Sequence, residues 1–143
     1  MGATALVIPK GIGQIDFLGF SRQECLLLLC EDKMVEGSLE PKFFRDSLSQ
    51  FVYDKDSYAN RFRSKIDWTW QNREGIARAL NLNLAPSGFA CAMVSYYPCI
   101  ASHFIHDFPC VSITELMIDF KTAGRWPYSI GRPGVLPHKT DRA

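Results

Sequence analysis

The chain lacks any large excess of one charge sign. Sixteen Lys and Arg face fifteen Asp and Glu, for a net charge of +1. Such a balance gives no global pull toward a polyanion or an acidic membrane surface. Among partners, another protein is therefore expected ahead of nucleic acid, and no membrane is expected. Motifs with a fixed chemistry are missing as well. There is no Cys-x2-Cys pair, no Gly-x-Ser-x-Gly, no His-Glu-x-x-His and no Asn-x-Ser/Thr. These absences remove the paired-cysteine zinc module, the hydrolase nucleophile turn, the helical zinc protease site and the N-glycosylation site. Gly11-Ile12-Gly13 lacks the third glycine and the helix start of a phosphate loop. The cysteines at 25, 30, 91, 99 and 110 are odd in number and irregular in spacing, a poor disulfide framework. Residues 1–13, MGATALVIPKGIG, show no basic n-region, and Leu6 breaks the myristoylation pattern after Gly2. A reducing, cytoplasmic setting with free thiols is the expectation.

Charge is also missing locally. From Ala79 to His106 no Asp, Glu, Lys or Arg occurs over 28 residues. The apolar part, FACAMVSYYPCIASHFI, approaches membrane-spanning length. Ser95, Tyr96, Tyr97, Pro98, Ser102 and His103 interrupt it. The run therefore reads as two short buried helices broken at Pro98.

What is present suits one folded domain. The 143 residues are 47% apolar and 22% charged, enough to build a core without metal or disulfide staples. Phe, Tyr and Trp reach 13%, so bulky rings fill the core or leave some for a contact surface. Residues 3–8 and 15–20 read as short extended pieces. Ser21 and Glu24 form the pattern of a capping box, and Gly37 that of a C-terminal stop. Leu26 to Leu29 between them predict a central helix, apolar all round. Residues 41–53 place Phe44, Leu48, Phe51 and Val52 on one helical face. Residues 57–65 and 68–82 predict two further helices with Ser57 and Asp67 as N-caps. Pro86–Tyr97 and Pro98–His106 predict buried helices. Ser112 and Glu115 form a second capping box, predicting a helix over 113–122 stopped by Gly124. The glycine- and proline-rich end predicts an irregular tail that packs through Trp126, Tyr128 and Leu136. The expected fold is therefore mainly α. It is a single domain of five to seven helices, with an extended arm over 1–20, a helical core over 21–123 and a tail over 124–143.

Candidate sites follow from chemistry. Cys99, His103, His106 and Cys110 hold zinc-compatible types. A helix over 99–106 would bring Cys99, His103 and His106 to one face as a candidate metal site. A single short segment closes a tetrahedron poorly, so packing is the stronger reading and no cofactor is expected. Cys99, His103 and Asp107 also match a nucleophile pair with an orienting carboxylate, without oxyanion donors nearby. Acids outnumber bases by four over residues 16–40, and bases outnumber acids by three over 57–78. In the second segment Tyr58, Phe62, Trp68 and Trp70 are interleaved with Arg and Lys, a composition shared by single-strand nucleic-acid surfaces and protein hot spots. EGIARALNLN resembles the first helix of a helix-turn-helix. The segment after it carries no Lys, Arg, Gln or Asn to read bases. The reading that remains is a small protein-binding module rather than an enzyme. It would occlude a partner such as a toxin, as an immunity protein or antitoxin does. The contact residues would be Glu31, Asp32 and Glu36, or Trp68, Trp70, Arg73 and Arg78.

Overall fold

The computed structural model describes residues 6–34, 40–128 and 131. It corrects the mainly helical expectation. Strands β1 (Phe17–Ser21), β2 (Leu26–Lys33), β3 (Gly88–Ser95) and β4 (Cys110–Ser112) form one mixed sheet in the order β1-β2-β3-β4. The architecture is α/β. β1 pairs with β2 antiparallel, from Phe17↔Cys30 to Ser21↔Leu26. β2 pairs with β3 and β3 with β4 in parallel, so that Lys33, Ser95 and Ser112 end level with one another.

Two of the predicted helices are strands, for one physical reason. Leu26–Lys33 and Gly88–Ser95 are inner strands of a sheet covered on both sides, so apolar residues stand at successive positions rather than alternating. That pattern matches a helix buried all round. The Ser21–Glu24 contact does form, with the Glu24 N–H donating to Ser21 Oγ at 3.3 Å. It closes the turn of a hairpin, and Cys25 at φ 51° takes the chain into β2 instead of into a helix.

Helix α1 (Pro41–Leu48) runs on into a π-helical turn, Ser49–Tyr53. Helices α2 (Tyr58–Gln71) and α3 (Arg73–Ala79) complete the crossover from β2 to β3. Ser57 caps α2 as expected, its hydroxyl accepting from the Asn60 N–H at 3.2 Å. Asp67 is an exposed residue inside α2, and the predicted helix break falls at Asn72 instead. Pro98–His106 gives only a 3-10 turn, Ile100–His103. The helix after β4 forms as expected. α4 (Ile113–Ala123) carries the full Ser112–Glu115 capping box and ends at Gly124 with φ 66°.

Strand alternation sorts the core. Leu27 and Leu29, with Phe89, Cys91 and Met93, face α2 and α3 and meet Phe62, Ile66 and Ile76. Phe62 and Phe108 close this layer edge to face at 4.9 Å. Each fully buried ring or branched side chain here contributes about 1.5–3 kcal/mol. On the opposite face Leu26, Ala90 and Ala92 receive α4 through Leu116, together with Trp126 and Tyr128. The tail contact expected of Trp126 and Tyr128 is thus present, and Leu136 lies outside the described residues. Gly131 adds a two-way backbone bridge to Phe89 beside β3, at 2.7 and 2.8 Å.

Candidate functional site

The hairpin and the crossover helix bring four ionisable side chains to one end of the sheet. Odd positions of β2 face α2. Leu27 and Leu29 are apolar there, but the next two on that face are Glu31 and Lys33. Two residues apart on a strand, they share a side. Lys65 on α2 lies across from them. Its Nζ donates to Glu31 Oε1 at 2.6 Å and to Oε2 at 2.7 Å, and Lys33 Nζ donates to Oε1 at 2.8 Å. Side-chain exposure is 5% for Glu31, 7% for Lys65 and 20% for Lys33. Lys33 Nζ also sits 4.7 Å from the centre of the Tyr58 ring. Tyr58 in turn accepts from Gln50 Nε2 at 2.6 Å.

Asp16 completes the group. It precedes β1 by one residue, so the Phe17↔Cys30 pair places it opposite Glu31. Its Oδ2 accepts from the Asp32 backbone N–H at 3.0 Å, continuing the ladder with a side chain. Asp16, Glu31 and Asp32 border a cleft of about 500 Å³ with Cys30, Val94 and Ile113. The place itself is informative. The carboxyl ends of parallel strands are where open α/β sheets bind ligands. Burial pushes the Cys30 thiol beside this cleft up to about 11, against the pull of a backbone hydrogen bond at Ala92.

The chemistry available is that of a buried carboxylate held by two ammonium groups, with the Asp16 carboxylate beside it. Glu31 has about four lone-pair positions, and the hydrogen bonds to it occupy three of them. Asp16 and the remaining Glu31 position offer hard oxygen donors of the kind that suit a divalent cation. Glu31 with its two ammonium groups sums to +1, and Asp16 and Asp32 on the cleft border bring the sum to −1. Another cleft, about 260 Å³ and almost wholly apolar, lies between Phe17, Leu28, Phe120 and Trp126. Its ionisable lining residue is Glu24.

The expected site residues fare unevenly. Glu31 is buried and ion-paired instead of projecting from a helix end, Asp32 is exposed, and Glu36 lies outside the described residues. Trp68 and Trp70 pack half-buried on the core. Arg73 lies over the Trp70 ring at 4.4 Å and donates to the Trp70 carbonyl at 2.9 Å, while Arg78 is exposed. The basic and aromatic segment thus turns most of its rings inward. Cys99 is buried at the start of the 3-10 turn, and His103 and His106 are exposed. Among the described residues no group of three or more His, Cys, Asp or Glu is placed to hold a metal ion. Burial raises the Cys99 thiol above its ordinary value, although N–H groups of Ala101 and Ser102 counter it. Asp107, the residue considered as an orienter for His103, is held by Arg63 Nη2 at 2.9 Å. The segment expected to supply a recognition helix is β3, which removes the helix-turn-helix arrangement.

Sequence reasoning missed Asp16, Lys33 and Lys65. The signal was present as Glu31-x-Lys33 after an apolar run, with Asp16 on the preceding extended piece. Assigning the run to a helix put Glu31 and Lys33 on different sides and hid the pair.

Comparison with family models, with characterised proteins and with solved structures finds no match. Among the described residues no helix is long and apolar enough to cross a membrane.

Proposed function

We propose that this chain is a metal-dependent phosphodiester hydrolase acting on a nucleic-acid strand. The observation that carries the reading is that Asp16 and Glu31 border one cleft at the carboxyl end of β2, with Glu31 held by Lys33 and Lys65. Hydrolysis of a phosphodiester needs its non-bridging oxygens neutralised and a water made nucleophilic, both of which a bound cation supplies. Mg²⁺ characteristically binds through one or two carboxylates and completes its shell with water and substrate phosphate. Asp16 and Glu31 are enough for that, without a three-residue cage. Lys33 stands ready to donate to a phosphate oxygen. Lys65 fixes the Glu31 carboxylate from beneath, both oxygens held. The site edges a broad cleft rather than an enclosed chamber, which suits a polymer passing across it. The five cysteines form no disulfide, which suits a reducing compartment, and the cytoplasm is the proposed location.

The test is cleavage of labelled single- and double-stranded DNA and RNA with Mg²⁺, with Mn²⁺ and with chelator. Cleavage should require metal. Asp16→Asn keeps an oxygen for the Asp32 N–H and should lower the rate about 100-fold or more. Absence of metal-dependent product from all four substrates, or full activity in D16N, would defeat the proposal.

One observation favours a second reading, a module that occludes a protein partner such as a toxin. Met117 and Ile118 on α4 are 62% and 60% exposed. That helix packs on the face opposite Glu31, so an occluding module would protect against its partner equally well as D16N.

A further inference from the structure

Strand β1 is an edge of the sheet. β2 bonds it on one side, and among the described residues no strand bonds it on the other. The opposite edge, β4, is three residues long and buried. Soluble folds usually blunt an open edge with Lys, Pro or a bulge. β1 reads Phe-Leu-Gly-Phe-Ser and contains neither residue, and its register with β2 runs unbroken from Phe17 to Ser21. Phe17 is 52% exposed. Its ring lies back over Gly19, with Cε1 and Cζ 2.9 Å from the point a Cβ would take. The middle of the strand is thus bare of side chain on that face, and a neighbouring ring covers it.

The flanks decide what this edge fits. Asp16 precedes the strand and Arg22 follows it, both exposed. They stand three residues either side of Gly19. An antiparallel copy of β1 centred on Gly19 therefore sets Asp16 opposite Arg22 at both ends. Between them Phe17 falls opposite Ser21, and Leu18 opposite Phe20, an aliphatic–aromatic cross-strand pair. All five strand residues are paired in this register. Moving the centre to Leu18 or Phe20, the nearest shifts that keep every side chain on its own face, pairs three of the five and puts the charged flanks out of line. Charge complementarity and the fullest backbone pairing thus select the same arrangement.

We propose that β1 pairs antiparallel with β1 of a second copy of this chain, about a twofold axis at Gly19, with Asp16 of each copy against Arg22 of the other. Such a contact uses the same patch on both copies and closes as a dimer. The two four-stranded sheets join into one. The Phe17 rings flank the paired glycines and lose exposure to water. Asp16 has about four lone-pair positions, of which the Asp32 N–H occupies one, so it accepts the guanidinium and keeps that bond. Each cleft border gains a positive group from the other copy, against its own sum of −1. The pairing is a property of the strand edge and does not rest on the hydrolase reading.

The experiment is sedimentation velocity of the full chain over a concentration series. Wild type should pass from monomer to dimer as concentration rises. Arg22→Glu sets like charges at both ends and should raise the dimer dissociation constant about 10-fold or more, while Arg22→Lys should hold it within about threefold. Asp16→Lys should weaken the dimer as Arg22→Glu does. An equimolar mixture of D16K and R22E restores opposite charges at both ends of a mixed dimer, and should associate about as strongly as wild type. Circular dichroism checks that each variant is folded; should D16K fail to fold, R22E against R22K decides. A wild type that stays monomeric at every concentration overturns the proposal. So does a dimer that R22E leaves unchanged, or a mixture of folded variants that associates no better than its parts. A dimer that resists R22E and is dissolved by Met117→Lys, at the exposed methionine of α4, places the contact on that helix and also overturns it.

Discussion

Replacing Lys65 with Met tests how the buried cluster is held together. Glu31 is 5% exposed and Lys65 7%, so neither charge has much water. Removing one partner of such a pair typically costs 3–5 kcal/mol, because the other charge remains buried. Here Lys33 stays at 2.8 Å from Glu31 Oε1 and keeps part of the compensation. The expected loss for K65M is therefore at the lower end, about 3 kcal/mol. Lys33→Met should cost only about 1 kcal/mol: its side chain is 20% exposed, and Lys65 still holds both Glu31 oxygens. Against a total stability of about 5–15 kcal/mol, the first loss is large. For a chain near this length it corresponds to a fall in Tm of roughly 6–12 °C. Urea unfolding followed by circular dichroism measures both variants, with an unchanged m-value as the sign that only stability has moved. A K65M protein within about 0.5 kcal/mol of wild type would refute the argument. So would a K33M protein less stable than K65M, because the ion pair would then not be organised by burial.

Three further outcomes are expected of the same structure. Thr69 is fully buried and its hydroxyl has no hydrogen-bond partner among the described residues, so Thr69→Val should be neutral or stabilising by up to about 1 kcal/mol in the same urea titration. Burial raises Asp107, but its hydrogen bonds and charge contact with Arg63 outweigh that and leave it below the ordinary carboxylate value. Its stabilising contribution is therefore present above pH 3.8 and lost as the pH falls through the lower folded value. Asp107→Asn should flatten the acid limb of the stability curve by no more than about 1 kcal/mol, since the pair is partly exposed. Cys30 is raised from 9.0 to about 11 by burial, so stability should decline as pH rises between those values, and Cys30→Ala should lessen that decline in Tm measured against pH, the buried Cys91 and Cys99 thiols keeping the rest.

Local signals in the sequence were decisive wherever a short segment closes its own hydrogen bonds. Ser112 and Glu115 satisfy the first turn of α4 from within four residues, and Gly124 ends it at positive φ. Ser57 does the same for α2. These elements were legible because capping is a contact between near neighbours. The Ser21–Glu24 pair shows the limit. Its hydrogen bond forms as the sequence implies, yet serves a hairpin, because the conformation of residues 26–33 depends on strands supplied from far along the chain.

The sequence by itself determined the helix caps at Ser57 and Ser112, the stop at Gly124 and a composition able to build a large apolar core. Tertiary structure alone decided that Leu26–Lys33 and Gly88–Ser95 are neighbouring strands. A segment apolar on every side satisfies a buried helix and a doubly covered strand equally well, and only the partner on each side chooses between them. The same choice made the candidate site. Period 2 instead of 3.6 put Glu31 beside Lys33, the hairpin brought Asp16 opposite, and the crossover helix delivered Lys65 from 34 positions away.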